Sequence, residues 1–83
     1  MATQLKSGEK SAAVRAFAIT PSDDDDLHEI TRGIYVGVSG DLTVEMNGVN
    51  ITFVDIAAGV IHPIRVTKVL DTGTDATDIV GLV

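Results

Sequence analysis

The stretch DLTVEMNGVNITFV, residues 41–54, decides the fold. Leu42, Val44 and Met46 alternate with Asp41, Thr43 and Glu45, the period of a strand with one buried and one wet face. Val49, Ile51 and Phe53 alternate with Asn50 and Thr52 in the same way. Between the two runs stands Asn47-Gly48, a pair that tolerates the positive φ angles of a type I′ turn. Residues 42–46 and 49–54 are therefore expected to form a β-hairpin with Asn47 and Gly48 at its tip.

Strand and turn chemistry continues on both sides of this hairpin. Toward the N-terminus, Ile34-Tyr35-Val36-Gly37-Val38 is rich in β-formers, and Ser39-Gly40-Asp41 reads as a tight turn. Val14, Ala16 and Ala18 alternate with Arg15, Phe17 and Ile19; both sets are fairly apolar, so this strand is expected to be covered on both faces. Pro21 ends it, because proline gives no ladder N–H. SDDDDLHE, residues 22–29, is a loop in which four consecutive aspartates repel one another. Toward the C-terminus, Ala57-Ala58-Gly59 connects to an apolar-biased strand over residues 60–70, interrupted at Pro63. A β-bulge at Thr67-Lys68 would bring Val66 and Val69 to one face. DTGTDATD, residues 71–78, is a turn-rich loop, and residues 79–83 form a last strand tied into a sheet. Residues 1–13 are small and polar and read as a flexible N-terminal arm on a single β domain of residues 14–83. Short strands, frequent turns and no helical period predict an all-β fold, a small antiparallel β-sandwich or barrel.

Composition narrows the possible functions. A chain of 83 residues holds one domain and buries roughly 60–65% of its unfolded surface, so its core is thin. Small domains supplement such cores with disulfides, metals or association. The chain has no cysteine, which removes disulfides and fits cytoplasmic synthesis, and no Cys/His cluster suits zinc. Association with itself is the supplement that remains. MATQLKSGEK, residues 1–10, lacks the apolar run of a signal peptide, and no stretch approaches the ~20 apolar residues of a membrane span, so no membrane partner is expected. The formal net charge is −6, split into +2 over residues 1–15 and −8 over the remainder. An acidic body argues against nucleic acid as a partner, while Lys6, Lys10 and Arg15 suit either an acidic protein surface or a solvated, frayed terminus.

Constellations for catalysis are absent from the sequence pattern. His28 lies beside Asp26 and Glu29 and is placed for a surface ion pair; His62 precedes Pro63 and reads as a satisfied core or interface imidazole. Gly37-Val38-Ser39-Gly40 misses the G-x-S-x-G spacing, and the glycines form neither a dinucleotide fingerprint nor a P-loop. Asp23, Asp24, Asp25 and Asp26 are weak candidates for a calcium ion, but they lack the spacing of a calcium loop, and a solvated loop is the simpler reading. Asp71, Asp75 and Asp78 read the same way. Three aromatics, Phe17, Tyr35 and Phe53, are few for a glycan-binding module that must also fill a core. No catalytic, cofactor or metal residue is assigned, and the chain reads as non-enzymatic.

Three segments, TPSD at residues 20–23, RGIYVGVSGDL at residues 32–42 and IRVTKVLDTGTDAT at residues 64–77, carry a resemblance. Residues 15–83 resemble the small spike-base and head-decoration proteins of gene transfer agents and related tailed phages. The resemblance implies a virion structural protein on the exterior of a phage or phage-like head, made in a bacterial host. It implies a homo-oligomer, a pentamer or alternatively a trimer, that contacts the major capsid protein and serves as a vertex platform for a spike or fibre protein. A cement protein spread over the shell and a host glycan- or receptor-binding β module are the alternatives. Lys6, Lys10 and Arg15 would then form the capsid-contact arm. The run Asp23–Asp26 departs from the family pattern, which has fewer consecutive acids there.

Overall fold

A computed structural model describes residues 13–83. Seven strands follow one another along the chain: β1 (Ala16–Ile19), β2 (Gly33–Val38), β3 (Gly40–Met46), β4 (Val49–Ile56), β5 (Ile61–His62), β6 (Lys68–Val69) and β7 (Thr77–Leu82). They make a four-stranded sheet in the order β1-β7-β2-β5 and a three-stranded sheet in the order β4-β3-β6. Every pairing is antiparallel. Of the two architectures the sequence allows, this is the sandwich. Ile34 and Val36 of β2, Leu42 and Val44 of β3, Ile19 of β1 and Ile79 of β7 fill the space between the sheets. Each such side chain contributes about 1.5–3 kcal/mol on burial.

The hairpin forms in the expected register, with Met46 opposite Val49, Val44 opposite Ile51 and Leu42 opposite Phe53. Asn47 (φ 52°) and Gly48 (φ 80°) both lie in the left-handed region, as a type I′ turn requires. Further along, Gly40 pairs with Ile56, so β4 carries one residue more than β3 between these pairs. Asp55 takes a positive φ of 52° there, and the Asp41 carboxylate accepts its N–H at 2.9 Å. Aspartate is among the residues that tolerate this conformation.

Several local expectations are corrected. Residues 39–41 are not a tight turn. β2 and β3 belong to different sheets, and the chain passes from one to the other at Ser39. Residues 60–70 are not one strand either. β5 lies in the four-stranded sheet and β6 in the three-stranded sheet, and residues 63–67 cross between them. Pro63 begins this crossover, and the buried side chain of Thr31 holds it. The Thr31 hydroxyl donates to the Ile64 carbonyl at 3.0 Å and accepts from the Val66 N–H at 3.0 Å, while the Thr31 N–H bonds Val66 O at 3.2 Å. No bulge at Thr67-Lys68 is needed to bury both valines. Val66 is placed by the crossover and Val69 by β6, and the ladder irregularity falls between Gly40 and Leu42 instead.

The expected wet face of β3 is covered at its centre. Thr43 is buried because residues 70–76 fold over it. Its hydroxyl bonds Thr52 Oγ1 at 2.8 Å and donates to Gly73 O at 2.9 Å, and Leu70 N–H donates to Thr43 O at 2.9 Å. Gly73 has φ +90°, and a Cβ there would stand 2.6 Å from Thr43 Oγ1, so this close approach admits glycine alone. Finally, β1 is covered on one face only. Ile19 is buried and Phe17 half-buried, whereas Ala16 and Ala18 are exposed.

Candidate functional site

The uncovered face of β1 is part of a larger surface. Strand register aligns Ala18, Val80, Tyr35 and Ile61 in one row across all four strands of the larger sheet. The adjoining row runs from Ala16 through Leu82 to Gly33. Side chains of paired residues share a face, and the alternate residues, Phe17, Gly81 and Ile34, face the core. A Cβ on Gly33 would lie 3.1 Å from Ile61 Cγ2 and 3.5 Å from Leu82 Cδ1, so these two apolar side chains close over the glycine. The outward residue of β2 beyond Tyr35 is Gly37, packed against Asp78. Asp78 is the one charged residue among the outward positions of these four strands. The outer face of an antiparallel sheet is ordinarily polar. Here it is built from alanine, glycine, aliphatic side chains and Tyr35; Ile61 is 60% exposed, while Tyr35, Val80 and Leu82 are half-buried.

A second apolar feature lies on the other sheet. β4 is an edge strand with Val49 57%, Ile51 40% and Val54 76% exposed. The backbone of Glu45 and Thr43 bonds toward residues 67–70, away from β4. Their partners Asn50 and Thr52 are therefore in non-hydrogen-bonded pairs, with backbone groups pointing outward from the sheet. The opposite edge is closed, since Ser22 N–H donates to Val69 O at 2.9 Å and Leu27 N–H to Thr67 O at 2.8 Å. Charged residues and proline commonly guard such edges; β4 has only Asp55.

The residues singled out in the sequence are dispersed. Lys6 and Lys10 lie outside the described residues. Arg15 forks onto Glu29, with Nη1–Oε2 at 2.9 Å and Nη2–Oε1 at 2.8 Å. Glu29 is thus taken, and the expected ion-pair position of His28 is replaced by a ring contact with Phe17 at 4.5 Å between centroids. His62 Nε2 bonds Ala57 O at 2.8 Å, a satisfied imidazole as expected.

The aspartates Asp23, Asp24, Asp25 and Asp26 do not act as a group. Asp23 docks on the 71–74 loop, its Oδ1 accepting from Thr72 N–H at 2.9 Å and its Oδ2 from the Thr72 hydroxyl at 2.6 Å. Those two bonds hold its carboxyl below the ordinary value of 3.8. Asp24 and Asp25 N–H groups turn onto Ser22 Oγ, and Asp26 sits 3.6 Å from Lys68 Nζ. Asp71, Asp75 and Asp78 border an open groove of about 310 Å³ floored by Ile19, Ala76 and Ile79. Among the described residues, no three His, Asp or Glu side chains converge in a way that would hold a metal ion.

The sequence reading did not place Tyr35, Ile61, Val80 and Leu82 together on the outward side of one sheet, where Ile61 is exposed and the other three are half-buried. Their signal was present: GIYVGV and TDIVGL are apolar at both strand parities.

The larger sheet thus carries one charge, Asp78, among its outward strand positions, and the β4 edge carries one, Asp55. No protein-family model matches the chain, and no curated protein matches it. Among solved structures, it is similar to a chain in the capsid of a native gene transfer agent particle computed with C5 symmetry. The two are 42% identical, the match covers 86% of this chain and 83% of that one, and the TM-score is 0.78. This chain belongs to the family of that gene transfer agent capsid chain, and the relationship supports a virion structural protein of a phage-like head.

Proposed function

We propose that this protein is a non-enzymatic component of the exterior of a phage or phage-like head, where a ring of copies forms a vertex platform for a spike or fibre. The observation that carries this reading is the 42% identity, over most of both chains, to a capsid-particle chain resolved under fivefold symmetry. A thin core, an apolar sheet face and an unguarded β4 edge favour an oligomer, because closed rings hide surfaces that would otherwise aggregate. The ring has five members in this reading, with the major capsid protein beneath it. Residues 1–13, with Lys6 and Lys10, together with Arg15 form the capsid contact.

Quantitative mass spectrometry of purified particles tests the placement. A few copies per vertex relative to the major capsid protein is the expected result. A ratio near one would make the chain a cement protein spread over the shell. Absence from washed particles would reject a virion role and bring the glycan- or receptor-binding alternative forward. Deleting residues 1–13 is expected to abolish attachment while the fold survives; retained attachment removes the arm from the mechanism.

A further inference from the structure

We propose that Asn47-Gly48, at the tip of the β3–β4 hairpin, is a site of spontaneous covalent modification in the folded protein, where the Asn47 carboxamide cyclises onto the Gly48 nitrogen and is hydrolysed to aspartate and isoaspartate. This chemistry is independent of any role on a virion.

An asparagine reacts in this way when the backbone nitrogen of the next residue can reach its Cγ. A following glycine carries no Cβ to obstruct that approach. The chain has two asparagines: Asn47 precedes Gly48, and Asn50 precedes the β-branched Ile51. At the tip both reacting groups are free. Among the described residues, neither the Asn47 carboxamide nor the Gly48 N–H makes a hydrogen bond. Both residues are exposed, and a Cβ placed on Gly48 meets nothing within 4 Å, so no neighbour shields the pair.

The backbone is also least constrained here. Ring closure needs rotation about the Asn47 Cα–C bond, and Asn47 (φ 52°) and Gly48 (φ 80°) lie outside both strands. That rotation disturbs the pairing of Met46 with Val49, the last rung of the ladder, on an edge strand with no neighbour beyond it. Terminal rungs open at far smaller cost than the whole domain. Asn50 is held differently: it lies within β4 opposite Glu45, and Ile51 is paired with the fully buried Val44.

The step balances with water as the only co-reactant. The Gly48 amide gives up its proton and its nitrogen bonds to Asn47 Cγ, while the Cγ–Nδ2 bond breaks and ammonia leaves. Water then opens the succinimide. Attack at the side-chain carbonyl gives aspartate, and attack at the main-chain carbonyl gives isoaspartate, whose chain runs through Cβ. Each product carries a new carboxylate, so the tip gains negative charge as the protein ages. Aspartate keeps a pair suited to the type I′ turn, whereas isoaspartate lengthens the turn by a backbone atom and spoils its fit.

The test incubates the folded full-length protein at neutral and mildly alkaline pH beside Asn47→Gly, which lacks the carboxamide and keeps a pair suited to the turn. Peptide mapping with electron-transfer fragmentation separates aspartate from isoaspartate, and ion-exchange chromatography measures the acidic species. Asn47 is expected to convert at least about a hundredfold faster than Asn50, because the strand holds the reacting atoms of Asn50 out of reach. Conversion is expected to quicken as pH rises, and Asn47→Gly is expected to lose the acidic species. Asn47 that stays intact in the folded protein overturns the proposal; its conversion in urea would then show that the turn protects it. Acidic species that form equally in Asn47→Gly, or conversion of Asn50 at the rate of Asn47, overturn it as well.

Discussion

Replacing Thr31 by valine is expected to damage this fold more than its size suggests. Thr31 and Val66 are fully buried, and the Thr31 hydroxyl both donates to Ile64 O and accepts from Val66 N–H, each at 3.0 Å. Valine keeps the shape but can do neither. The buried Val66 N–H then loses its partner, at about 1–3 kcal/mol, and the half-buried Ile64 carbonyl adds a smaller cost. A loss of about 2–4 kcal/mol is a large fraction of the ~5–15 kcal/mol that holds a domain together. For a domain this small it lowers Tm by roughly 10–25 °C. Thr31→Ser is the control: it keeps the hydroxyl and sacrifices one methyl, about 1 kcal/mol. Both variants are compared with wild type by urea and thermal unfolding at one fixed protein concentration, since any self-association would shift the midpoint. If Thr31→Val proves as stable as Thr31→Ser, the hydroxyl is not what holds the crossover, and the account of residues 63–67 fails.

Other expectations follow from single contacts. Gly48 and Gly73 both have positive φ, but a Cβ at Gly48 meets nothing within 4 Å, while one at Gly73 meets Thr43 Oγ1 at 2.6 Å. Gly73→Ala should therefore cost about 1–3 kcal/mol more than Gly48→Ala in urea unfolding, and equal costs would contradict the close packing of residues 70–76 on β3. Asp23 has its folded-state value depressed below 3.8 by Thr72, so its contribution is complete above 3.8 and is lost as pH falls through the lower folded value. The Thr72 amide resonance should move only in that acid window and should lose this transition in Asp23→Asn; a shift centred above 3.8 would refute the pairing. Arg15→Ala breaks an exposed ion pair, with side-chain exposures of 62% and 36%, and should change stability by under about 1 kcal/mol. In the same variant, particle attachment should fall; unchanged attachment would remove Arg15 from the capsid contact.

What the sequence made legible divides along physical lines. The hairpin was readable because its information is local: alternation over residues 42–46 and 49–53 sets the faces, and Asn47-Gly48 sets the register. The crossover was not, because residues 60–70 are apolar enough to pass for one strand. What divides them is a hydroxyl on Thr31, more than thirty residues away. Thr43 was misjudged for the same reason. Its alternation promises solvent, and only the fold of residues 70–76, with Gly73 at φ +90°, places a carbonyl over it. The acidic loop misled in the opposite direction. Four adjacent aspartates suggest a shared role, yet Asp23 is absorbed by Thr72 and Asp26 lies beside Lys68.

The candidate site was half legible, and the missing half is instructive. Apolar residues at both parities of residues 14–19 led to the expectation of cover on both faces, which holds for one face of β1 within the chain. The same two-sided pattern recurs in β2 and β7, the two inner strands of that sheet, so it is not an accident of one terminus. A domain with a thin core gains by keeping these strands apolar inward, and nothing in the stability of an isolated chain requires Tyr35, Ile61, Val80 and Leu82 on the outward side. A partly exposed apolar face of this kind is a liability to a free monomer, through aggregation, and an asset to a subunit of an assembly. The outward pattern is not needed for the core, which accords with the oligomer proposed above, and it is readable in the sequence once the sheet order shows which side the core leaves uncovered.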